Sequence, residues 1–178
     1  MAKIVNLQTY RDKALEQRSF GAWQKRFREI YSSLTRLSDL SDKTLYYIAL
    51  PGDNSSNACY EFIMGALDLG PAPNFHYLEN EDQLRVVDIH LFFSDQVRFE
   101  LMHRLGWLQT FPAQDSTLLD MVQKCDALKA VSKETPPVLA ESHPEYNDYQ
   151  NLTRGDQEVL IRRLLQEALD VFKKRLDE

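Results

Sequence analysis

NEDQLRVVDIHLFFSDQVRFELMHRLGWL, residues 80–108, contains no proline, and no glycine before Gly106. Glu79, Glu81 and Asp82 surround its start, where negative charge favours a helix N-terminus, and Gly106 supplies a natural stop. At the helical period its apolar residues do not gather on one side. Leu84, Val87, Leu91, Met102 and Leu105 share one face, flanked by Phe92 and Phe99, while Val86, Phe93, Val97 and Leu101 cover the opposite one. A helix that is apolar nearly all round needs neighbours on most sides. The stretch therefore predicts a central buried helix over 80–105 inside an all-α bundle.

The flanking sequence supplies candidate neighbours. Thr9 and Asp12 have capping-box spacing before a short helix to about Arg18. Phe20, Trp23, Phe27, Ile30, Tyr31, Leu34 and Leu37 recur every three or four residues and predict a helix over 19–37, with the aromatic stripe in the core. Thr44–Leu50, TLYYIAL, is too short for its pattern to separate helix from strand, and helix is favoured because no partner strand stands out. A helix over 56–69 ends at Gly70-Pro71, and Ser116 is the expected cap of a helix reaching Val131. Residues 132–153 contain Pro136, Pro137 and Pro144 and are expected to form an extended arm or a mobile segment. Thr153 and Asp156 cap a clearly two-faced last helix. The sum is a single helical domain over 1–178, with about six or seven helices by periodicity.

The 178 residues are enough for one sizeable core, and no apolar run is long enough for a membrane span, so no membrane partner is expected. Cys59 and Cys125 match no metal or redox spacing and are expected as buried thiols in a cytoplasmic protein. Charge is uneven. Residues 1–36 hold eight basic and three acidic residues, whereas 37–150 hold seven basic and eighteen acidic ones. No Lys or Arg lies between Thr44 and Leu84, a composition that repels phosphate backbones and makes nucleic acid an unfavourable partner. The basic N-terminal part can instead meet the acidic part of another copy.

The chain lacks glycine-rich phosphate loops, nucleophile elbows and His-Glu-x-x-His. No catalytic residue or cofactor is assigned. Asp88, Asp95 and Arg98 fall where the central helix should be dry, so they are candidates for a polar ligand pocket; an Asp95–Arg98 pair is the structural alternative. Glu100 and His103 form one Glu-x-x-His, a weak metal candidate better read as an exposed ion pair. Lys25, Arg26 and Arg28 form a basic patch for a partner. The expected function is non-enzymatic protein–protein interaction, with self-association as a homodimer included. A small-ligand or metal-binding bundle is the first alternative, and nucleic-acid binding through the basic N-terminal region the second.

Overall fold

The computed structural model describes residues 6–178. It is an all-α bundle with one small antiparallel strand pair among the described residues. Helix α1 spans Leu7–Phe27, α2 Asp42–Ala49, α3 Asp53–Ala66 and α4 Asn80–Arg104. After α4 come β1 (Leu108–Thr110), α5 (Leu118–Gln123), α6 (Cys125–Glu134), β2 (Val138–Leu139), α7 (Tyr146–Gln150) and α8 (Arg154–Asp177). Short 3-10 turns cover Leu37–Asp39 and Ala72–Tyr77.

Helix α1 merges the two helices expected before residue 37 and then stops ten residues early. The Asn6 carboxamide caps it by accepting from the amides of Gln8 and Thr9, in place of the expected Thr9 box. Nothing interrupts the chain at Ser19, whose hydroxyl donates back to the Leu15 carbonyl. The stop is at Arg28, which takes a left-handed conformation with φ of 57°. Tertiary packing overrides the helical pattern here. Tyr31 stacks on Phe20 at 5.2 Å and meets Trp23 edge-on at 5.8 Å. Its hydroxyl donates to Glu29, whose other oxygen accepts from Thr44. Ser32, Ser33 and Thr35 are poor helix formers that divert hydrogen bonds to side chains. The Thr35 hydroxyl accepts from the Ser32 amide, and Glu16 accepts from the Ser33 amide. The expected core residues Ile30 and Leu34 are consequently 96% and 76% exposed.

Segment 44–50 is helical, capped by Ser41. Helix α3 begins and ends three residues before the expected 56–69, and its last turns are held by the close crossing with α1. A Cβ at Gly65 would lie 2.1 Å from the Arg18 carbonyl oxygen, so the internal glycine allows the two backbones to approach. The aromatic core gathers at this crossing. Phe20, Trp23, Phe62 and Phe93 are fully buried, and the Trp23 indole donates to the Ala58 carbonyl at 2.8 Å.

Helix α4 contacts α2, α3, α5, α6, α8 and β1. Its C-terminus closes as the glycine predicts: Gly106 has φ of 76°, and the Trp107 amide returns to the Met102 carbonyl. Leu108 is buried and pairs with Leu139 across the strand pair. One face of α4 differs from expectation, since Leu84 is 71% and Leu91 63% exposed. The helix expected from Ser116 is two helices that break at Lys124, and its cap is Thr117, which accepts from the Asp120 amide. Residues 132–153 are not without regular structure. They carry the end of α6, β2 and α7, with Leu139 and Tyr149 buried. Thr153 caps α8 by accepting from the Asp156 amide, as its spacing predicts.

Candidate functional site

Asp88 and Asp95 are two helical turns apart on α4 and line the same groove, which α6 and α8 wall on either side. Its volume is about 390 Å³, within the usual range for small-ligand sites. Phe92, Phe99 and Ile161 line it with side chains that are otherwise buried in the core, and Pro112, Pro136 and Pro137 lie against it. The proline segment after α6 thus contributes to a cavity wall.

Each acid is matched by a cation from another helix. Asp88 accepts from Lys129 of α6 at 2.5 Å, and this contact raises the Lys129 pKa. Asp95 accepts from Arg162 of α8 at 3.2 Å. The two pairs tie both walls to α4. Lys133 and Glu158 also line the groove, and neither has an oppositely charged partner within ion-pair distance among the described residues. Arg98 is not part of it. Its guanidinium donates to the Ala49 carbonyl at the end of α2, so the local Asp95–Arg98 pair does not form. Arg98 also helps burial to lower the pKa of half-buried His90, whose ring packs edge-on against Tyr60.

Glu100 and His103 are brought close but do not form an exposed pair. Glu100 is only 3% exposed, and its carboxylate accepts from Arg104 at 2.9 Å. His103 Nδ1 lies 3.9 Å from the other oxygen. Arg104 also donates to Asp42 and to the Leu37 carbonyl, each at 2.8 Å, so one guanidinium joins α4 to the start of α2 and the preceding turn. A buried acid with a charged, hydrogen-bonded partner is a structural fastening. No group of three or more His, Cys, Asp or Glu side chains that could hold a metal ion occurs among the described residues. The sequence could not single out Arg104, which reads as an ordinary basic residue in a last helical turn.

The basic patch is divided. Arg26 is taken by Glu61 at 2.6 Å and by the Tyr47 hydroxyl, and the Glu61 contact raises its pKa. Lys25 and Arg28 are exposed, with no carboxylate within ion-pair distance among the described residues. Beyond Arg28 the chain alternates. Arg28, Ile30, Ser32, Leu34 and Arg36 are exposed, while Glu29, Tyr31, Ser33, Thr35 and Leu37 between and after them are half-buried or buried. The inward residues make the bonds described above, and the Thr35 carbonyl accepts from the Leu118 amide at 2.8 Å. The segment is thereby fixed while it presents two large aliphatic side chains between arginines.

Both thiols are buried and unpaired. Burial raises the Cys59 pKa to about 12 and that of Cys125 to about 11, which suppresses the reactive thiolate. No described helix is long and apolar enough to cross a membrane. Comparison of the chain with protein-family models, with curated proteins and with solved structures finds no match.

Proposed function

We propose that this chain is a non-enzymatic protein that works through contact with another polypeptide, made by its outward row at residues 28–36. The observation that carries this reading is Ile30, 96% exposed in a segment whose intervening residues are all tied down. A free aliphatic side chain is ordinary on a surface. Two of them, held beside unpaired basic residues on a fixed backbone, suit an interface that loses little conformational entropy when it forms. The buried, unpaired cysteines are in keeping with a cytoplasmic location.

A photo-crosslinking amino acid placed at residue 30 in living cells tests the reading. It is expected to give an adduct with a polypeptide, and the adduct is expected to disappear when Leu34→Asp is added. If crosslinker at residue 30 reacts with no polypeptide, the reading fails.

The groove supports a second reading, a small-ligand site on α4. It is favoured by a cavity of about 390 Å³ in which apolar side chains such as Phe92, Phe99 and Ile161 lie beside six charged ones, a combination that suits a polar or charged small molecule. Native mass spectrometry of gently purified protein is expected to show a bound species that Asp95→Asn weakens. Unliganded protein that also takes up no compound from a fragment screen would count against it.

A further inference from the structure

We infer that the partner of the basic row is a second copy of this chain, docked through the segment Tyr77–Leu84. The inference rests on the protein-contact reading above and names the partner. Tyr77 is 88% and Leu84 71% exposed, a second pair of large apolar side chains left uncovered. Between them Glu79 and Glu81 are also exposed, and Asp82 is half-buried. None of these three acids has a cation within ion-pair distance among the described residues. Arg85 adjoins them, so the net charge of the segment through residue 85 is −2.

The basic row is its counterpart. Lys25, Arg28 and Arg36 are exposed, and nearby carboxylates are engaged elsewhere. Glu29 faces inward to Tyr31 and Thr44, Glu61 holds Arg26, and Asp39 accepts from the Arg36 backbone amide. Row against row, or acidic segment against acidic segment, would bring like charges together. Row against acidic segment matches both charge and apolar surface. A two-fold dimer makes that contact twice, because what one copy offers to its partner the partner offers back.

Sedimentation equilibrium of the purified full chain, on the order of 100 μM, tests this at low and high salt. The expected result is twice the mass of one chain, with dissociation at least about tenfold easier when salt rises from about 50 to about 500 mM. Ile30→Asp with Leu34→Asp should give a monomer. Arg28→Glu with Arg36→Glu should also give a monomer, as should Glu79→Lys with Glu81→Lys. Combining the two charge reversals should restore the dimer. Melting temperature controls for folding, and Glu79→Gln with Glu81→Gln provides a milder variant that should weaken the dimer in the same direction.

A monomeric wild type overturns the inference. So does a dimer indifferent to these changes, or a combined reversal that stays monomeric. A monomer that instead sediments with phosphatidylserine vesicles assigns the row to an anionic surface and also overturns it. If the crosslinker at residue 30 joins only a different polypeptide, self-pairing fails while the protein-contact reading stands.

Discussion

The crossing of α1 with α3 and the groove between α4, α6 and α8 solve the same packing problem with opposite results. At the crossing, Gly65 lets the backbones approach, and Phe20, Trp23 and Phe62 fill the space until each is fully buried. Along the groove, Phe92, Phe99 and Ile161 are also buried and α8 sends Leu164, Ala168 and Phe172 into the core, but above that floor Asp88 and Lys129, and Asp95 and Arg162, pair beside an open cavity of about 390 Å³. Close backbone approach and large rings close a surface. Long charged side chains span a gap without filling it. The contrast separates a region closed by packing from one left open between charged side chains.

Substitutions sharpen the contrast by the size of their effect. Trp23→Ala removes a fully buried ring and its bond to Ala58, and is expected to cost about 3–5 kcal/mol in denaturant unfolding. Arg104→Ala leaves Glu100 buried without its cation, for which a loss of about 3 kcal/mol or more is expected, with partial recovery in Arg104→Ala combined with Glu100→Met. Gly65→Ala forces α1 and α3 apart against backbone atoms and should lower stability by about 1–3 kcal/mol.

Cys59 makes a smaller, pH-dependent contribution. Its folded pKa of about 12 lies above the ordinary 9.0, so the unfolded chain loses the thiol proton first as pH rises. The stabilisation is complete below pH 9.0 and declines from there towards pH 12. Between pH 8 and 10 the wild type should lose about 1 kcal/mol more than Cys59→Ala does. Smallest of all should be Asp88→Asn. It breaks a half-exposed pair with Lys129, and a change of about 0–1 kcal/mol is expected. A cost comparable to that of Arg104→Ala would make the groove pairs structural and dissolve the distinction between the two regions.

Much of the fold could be read from sequence because its signals are local. Thr153 caps α8 at the predicted residue, and Gly106 closes the chain after α4. Asp88 and Asp95 are expected on a dry face of α4, but that face is open: Leu84 and Leu91 are exposed and Asp88 is half-exposed. Their partners could not be read from sequence, since Lys129 and Arg162 reach them only through packing of distant segments; local spacing suggested Arg98 instead. Residues 28–37 misled for a different reason. Ile30, Tyr31, Leu34 and Leu37 satisfy a helical period, while the same ten residues also alternate inside and outside. The choice falls to Tyr31 and Glu29, whose contacts with Phe20 and Thr44 are not visible in local spacing.

That alternation is the basis of the proposed interface and can be measured directly. Single cysteines placed from residue 28 to 36, in a chain whose native thiols are buried, can be timed in their reaction with a maleimide. At low protein concentration and high salt, where the proposed dimer is dissociated, fast labelling at 28, 30, 32, 34 and 36, with slow labelling at 29, 31, 33 and 35, is the predicted result. A period of three to four residues would return the segment to α1, bury Ile30 and Leu34, and contradict the account.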